Sequence, residues 1–258
     1  MTTPVSAERR VTQVECERSS DTVTLSFSTD GALNVLSSAV LGAIGEKVEA
    51  LGRDPRVRFV VFRGRGKAFI AGADITELVR FDETRGESLS KHGHHVFDAL
   101  ENLRPVTIAA LNGHTMGGGC ELAMACDFRI AVRGAKIGLP ECRLGLLPGW
   151  GGTQRLIRLV GLSRAKRMMF SGEPIDADQA LAVGLVDEVV AGPEDLDPAL
   201  ERWKTVLRNG SPAAIGRIKR AIAHRDETEQ FGLCFACADA KEGMSAFLEK
   251  RAASWTSA

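Results

Sequence analysis

The run VRFVVF at 57–62 is the strongest constraint on the fold. It is apolar over a strand's length instead of alternating, so it reads as a strand covered on both faces, as in a parallel sheet. Parallel strands need crossover connections. The chain supplies them: a helix from about Glu87 to Leu103 separates VRFVVF from a second strand, VTIAAL at 106–111. Strand and helix patterns alternate up to about Val190, which predicts an α/β fold of right-handed parallel units. Ahead of them, Val11–Arg18 and Thr22–Phe27 alternate polar and apolar around Ser19-Ser20-Asp21, a hairpin pattern. Ser37 or Ser38 can cap a helix whose Val40, Ile44, Val48 and Leu51 share a face. After about Glu194 only helical segments are expected, with Pro193 and Pro198 at the boundary. The division is therefore 1–193 for the α/β core and 194–258 for a helical region. Its apolar faces (Ile215, Ile218, Ile222; Phe231, Leu233, Phe235; Met244, Phe247, Leu248) need cover, from this chain or from a neighbouring subunit.

At 258 residues the chain suits one large domain, or a domain with a small extra piece. Its 33 basic residues balance 33 acidic ones. No global field draws nucleic acid or membrane, and an anionic ligand must be held by local cations. The first twenty residues have no apolar signal core, and no segment approaches the ~18 apolar residues of a membrane span. A soluble cytoplasmic protein is the expectation, with its six cysteines reduced. Cys234-x-x-Cys237 stands without a second pair, so it reads as packing; His92, His94 and His95 read as a solvated helix face. No metal site is expected. Dinucleotide, P-loop, GxSxG and HExxH patterns are absent.

Two glycine-rich loops follow strands: RGRGKAFIAGADI (63–75) and NGHTMGGGCEL (112–122). Glycine lets a ligand approach the backbone closely, and the first amides of a helix have no partner within it. Two such loops side by side can aim two N–H groups at one oxygen, an oxyanion hole; tight turns with close packing are the plainer alternative. Glu121 stands in the first turn after the triple glycine, where the helix dipole favours a carboxylate. Glu141 follows twenty residues on, ahead of the glycine turn 149–152. Two carboxylates beside an oxyanion hole suit proton transfer at a carbon next to a polarised carbonyl.

KAFIAGADI, NGHTMGGGCELAMACD, LPECRLGLLPGWGGTQRL and EGMSAFLEKR together resemble the crotonase superfamily, and within it the enoyl-CoA hydratases, over about residues 22–251. The resemblance implies a spiral of ββα units with a C-terminal α-helical oligomerisation region, in homotrimers or hexamers. It implies an acyl-CoA thioester as substrate, no separate cofactor, and syn addition of water to a 2-enoyl-CoA. Catalytic roles fall on Glu121 and Glu141, oxyanion amides on Ala73 and Gly118, and water positioning on Gly149. Substrate contacts fall on Ala32, Leu33, Lys67, Ala71, Asp74, Ile75, Phe247 and Lys250. The last two, in AFLEKR, reach a neighbouring subunit's ligand in many relatives. Arg63 and Arg65 flank Lys67 as further candidate phosphate cations. Thr76 replaces a common lysine, and Trp150 replaces a small residue; its indole either shortens the acyl pocket or packs beneath the loop. The acyl chain length is not legible, because the pocket wall falls in the variable region of about Leu78–Leu100. A 3-enoyl to 2-enoyl isomerase, or another CoA-thioester activity on the same scaffold, is the alternative, although Glu121 argues against a dedicated isomerase. An RNA-binding role is the weakest reading, given the neutral charge.

Overall fold

A computed structural model describes residues 11–255. The reading of the first twenty residues as lacking a leader falls half on 1–10, outside the described residues. Ten strands are described: β1 (Gln13–Ser19), β2 (Thr22–Ser28), β3 (Phe59–Gly64), β4 (Ala68–Ile70), β5 (Val106–Leu111), β6 (His114–Met116), β7 (Phe128–Val132), β8 (Lys136–Gly138), β9 (Ile175–Asp176) and β10 (Glu188–Val190). The helices of the first part are α1 (Ser38–Arg53), α2 (Ile75–Leu78), α3 (Glu83–Glu101), α4 (Gly118–Ala125), α5 (Gly152–Val160), α6 (Leu162–Ser171) and α7 (Ala177–Ala182). Four more follow the last strand: α8 (Leu196–Leu207), α9 (Pro212–His224), α10 (Glu227–Cys234) and α11 (Ala238–Glu249).

The strands form two sheets, ordered β1-β2-β3-β5-β7-β10 and β4-β6-β8-β9. From β2 to β10 the large sheet is parallel; β1 pairs antiparallel with β2 across the expected hairpin. Each long strand β3, β5 and β7 hands the chain to a short one, β4, β6 or β8, in the second sheet, and then to helix. That repeat is the ββα spiral. VRFVVF and VTIAAL supply its central strands; β5 is buried throughout and Val60 pairs with Thr107 in register.

Ser37, not Ser38, caps α1 by accepting from the Val40 amide, and Val40, Ile44, Val48 and Leu51 are all buried. Helix α3 begins at Glu83, four residues before the sequence expectation, because the Asp82 carboxylate accepts from the Arg85 amide and caps it there. Among the described residues no strand follows Val190. In the helical end Ile215 packs on the core, whereas Ile222, Phe231 and Phe247 stay exposed on this chain.

Candidate active site

Helix α4 is buried at every position, Glu121 included. Its three opening glycines each make room for something. A Cβ on Gly117 would lie 3.0 Å from Glu141 Oε1, one on Gly118 would lie 2.2 Å from the Trp150 ring, and one on Gly119 would lie 2.5 Å from the Ile70 carbonyl. Gly117 also has φ of 53°, a left-handed conformation that favours glycine. Gly118 is the first residue of α4, so its amide has no partner in the helix.

The second loop amide is set by strand geometry. Leu36 and Ala73 form a parallel bridge: the Leu36 amide donates to the Gly72 carbonyl and the Asp74 amide to the Leu36 carbonyl. Peptide groups alternate in extended chain, so the N–H of Ala73 points away from Leu36. Ala73 and Gly118 line one cavity of about 240 Å³, together with Glu121, Glu141, Gly149 and Trp150. Ile75, Leu78, Leu89 and Leu144 give it apolar walls.

Glu121 Oε1 accepts two backbone hydrogen bonds, 2.7 Å from the Trp150 amide and 2.8 Å from the Gly152 amide. They favour the carboxylate, yet burial outweighs them and pushes its pKa up to about 7. Glu141 opens a short 3-10 turn after Pro140. Burial raises its pKa too, and its Oε2 is buried with no hydrogen-bond partner. An unpartnered buried oxygen disfavours charge, so this carboxyl is suited to carry a proton. The site therefore joins two amide donors to two carboxyls of raised pKa, an arrangement able to polarise a carbonyl and move protons beside it.

The other sequence candidates divide. Ala71 and Ile75 line the cavity, whereas the Asp74 side chain caps α2 and binds the Thr76 hydroxyl. Ala32 and Leu33 are exposed on a loop anchored by Asn34, whose Nδ2 donates to the Arg65, Ala68 and Phe69 carbonyls. Lys67 is exposed four residues before Ala71 and makes no ion pair with the described residues. Arg63 and Arg65 are each engaged with an acidic side chain. Arg63 pairs with Asp197 at 2.9 Å and Arg65 with Glu15 at 2.8 Å, since the fold brings acidic neighbours to both. Phe247 and Lys250 are exposed on and after α11, outside this chain's cavity. His92, His94 and His95 are exposed, and no cluster of metal-binding side chains occurs among the described residues.

Trp150 borders the cavity on one side and packed helices on the other. Its indole lines the cavity and is also wedged between α3 and α4, edge-on to Phe97 at 5.8 Å. It fits because Gly93 and Gly118 have no side chains; a Cβ on Gly93 would lie 2.1 Å from the ring. Sequence reasoning missed Ser90 and Arg155, which bind the carbonyls of Gly149 and Trp150. Arg155 stands inside the run LPECRLGLLPGWGGTQRL, which was the available signal, whereas no local pattern marks Ser90.

A family model described as enoyl-CoA hydratase/isomerase matches residues 17–258. The chain is 42% identical over 238 residues to a crotonyl-CoA hydratase of Syntrophomonas wolfei, covering 88% of this chain and 91% of that one. It is 40% identical over 246 residues to a short-chain-enoyl-CoA hydratase of Clostridium acetobutylicum, covering 91% and 94%. The crystal structure of an enoyl-CoA hydratase from Bacillus anthracis superposes with a TM-score of 0.87 at 32% identity, covering 94% and 98%.

Proposed function

The chain belongs to the enoyl-CoA hydratase/isomerase family, and from that premise we propose that it is a hydro-lyase adding water reversibly to 2-enoyl-CoA thioesters. The observation that carries this reading is the convergence of Ala73, Gly118, Glu121 and Glu141 on one apolar cavity. The thioester oxygen accepts from the Ala73 and Gly118 amides. Glu121, as carboxylate, takes a proton from water held near the Gly149 turn. The water oxygen bonds to the β-carbon while the double-bond electrons move onto the thioester oxygen as an enolate. Glu141 then gives its proton to the α-carbon on the same face. The cycle closes when Glu121 releases a proton and Glu141 regains one. Apolar walls exclude bulk water and so strengthen the hydrogen bonds to the enolate. The reaction calls for no cofactor.

A cavity of about 240 Å³ lies below the ~300–1,000 Å³ of pockets that enclose drug-sized ligands. It suits a short acyl chain and its thioester, with the rest of coenzyme A outside. We assign Lys67, exposed four residues before the cavity-lining Ala71, to a phosphate of coenzyme A. The names of the two curated relatives also favour short acyl chains. Breakdown of fatty or related acyl-CoAs in the cytoplasm is the setting we assign. Assembly as a trimer or hexamer would cover the apolar helical end and bring Phe247 and Lys250 to a neighbour's ligand.

The test is paired rates of hydration and of 3-to-2 isomerisation in Glu121→Gln and Glu141→Gln, with CoA-ester affinity as control. Glu121→Gln should cut hydration by about 10²–10⁴, with binding retained and isomerisation less affected. Glu141→Gln should suppress both. Hydration near wild type in Glu121→Gln would overturn the reading.

A further inference from the structure

Glu121 is held by a turn that glycines make pliable, so something else must hold the turn. Gly151 has φ of 98°, which strains any residue with a side chain, and a Cβ there would also displace the Arg155 guanidinium, 2.1 Å away. Three successive peptide units meet at this point. The unit joining Gly149 to Trp150 gives its N–H to Glu121, and its carbonyl accepts from Ser90 Oγ at 2.6 Å. The next unit has its carbonyl, that of Trp150, bound by Arg155 Nη1 at 2.9 Å. The third gives the Gly152 N–H to Glu121, and its carbonyl accepts from the Gln154 and Arg155 amides of α5. Every carbonyl in the turn is therefore tied.

Both side-chain ties lead to α3. Ser90 belongs to that helix, and the Arg155 guanidinium, only 3% exposed, also binds Asp98 and Glu101 there, at 2.5 and 2.9 Å. Helix α3 is also a wall of the acyl cavity, through Leu89 and Ser90.

We propose that Ser90 and Arg155 are positioning residues for Glu121: they fix two successive carbonyls of the 149–152 turn against α3 so that the Trp150 and Gly152 amides both reach one carboxylate oxygen. The Ser90 hydrogen bond also polarises the peptide whose N–H serves Glu121, since bonds in a chain strengthen one another. This assignment rests on the hydratase reading, in which Glu121 acts as base.

The groups facing Glu121 are Glu141 on the 3-10 turn and Arg155 on α5, with Asp98, Glu101 and His94 of α3 behind the turn. Cys120 adjoins it on α4, its thiol pushed well above its ordinary range by burial. Ser90→Ala alters none of these charges. It should lower kcat/KM for a short 2-enoyl-CoA by about three- to tenfold, the worth of one neutral hydrogen bond. A weaker donor favours the carboxylate less, so the acid limb of the kcat/KM profile should move up by about half a pH unit. Ser90→Thr, which keeps a hydroxyl, should restore both. On a Glu121→Gln background Ser90→Ala should cost nothing further, because the two act as a unit. Arg155→Lys, which keeps the charge but loses the planar fork, should also shift the acid limb upward, with thermal unfolding recorded separately. An unchanged acid limb in Ser90→Ala, or a full additive loss on the Glu121→Gln background, overturns the proposal. If Glu121→Gln alone leaves hydration intact, the hydratase reading fails instead.

Discussion

Replacing Trp150 by alanine should alter stability and substrate choice together, because one side chain serves both. The indole is 5% exposed, seated between Gly93 and Gly118 and against Phe97. Truncating a buried aromatic to alanine costs about 3–5 kcal/mol when its surroundings cannot collapse. For a chain of this size each kcal/mol lowers Tm by about 2–4 °C, so a fall of roughly 6–20 °C is expected. The vacated volume opens onto the acyl cavity. If it takes two or three more methylenes at ~0.8 kcal/mol each, longer chains gain about 15- to 60-fold relative to short ones. The assay is kcat/KM for four-carbon and ten-carbon 2-enoyl-CoAs, followed by loss of enoyl absorbance in both proteins. Trp150→Phe should fall between them in Tm and in ratio. A lowered Tm with an unchanged ratio would show that the indole only packs the two helices. An unchanged Tm would refute the wedge itself.

Glu121→Gln should also change how stability depends on pH. Burial raises this pKa from an ordinary 4.5 to about 7, so its contribution to stability is complete below pH 4.5 and lost as pH rises towards 7. The variant escapes that loss, so its advantage over wild type should be small at pH 4 and largest above pH 7, on the order of 3 kcal/mol; a difference constant with pH in thermal melts would contradict this. Lys67→Ala should raise KM for the CoA ester with kcat nearly unchanged, whereas Arg63→Ala should change little, because Arg63 is engaged with Asp197 in a pair worth about 0–1 kcal/mol. Steady-state kinetics with the larger KM effect in Arg63→Ala would reverse the assignment. Light scattering should give a trimer or hexamer, and Phe231→Asp should weaken it, since that ring is 67% exposed on one chain and edge-on to Phe235; a wild-type monomer at micromolar concentration would defeat this expectation.

By itself the sequence determined whatever depends on a few neighbouring residues. VRFVVF and VTIAAL announce covered parallel strands because both faces are apolar. The spacing of Val40, Ile44, Val48 and Leu51 gives the buried face of α1. Gly117 to Gly119 followed by Glu121 mark a bare helix start with an acid in its first turn. The tertiary structure decided what depends on segments far apart in the chain. It gave Arg63 to Asp197 and Arg65 to Glu15, leaving Lys67 unpaired among the described residues. It brought Arg155 to Asp98 and Glu101, and Ser90 to Gly149, across more than fifty residues. It made Trp150 both wall and wedge by placing Gly93 and Gly118 on either side. The physical reason is that periodicity, caps and positive φ are properties of a short window. Burial, ion pairing and a raised carboxyl pKa are sums over every segment that packs around a group, and those neighbours exist only once the sheets and helices have closed.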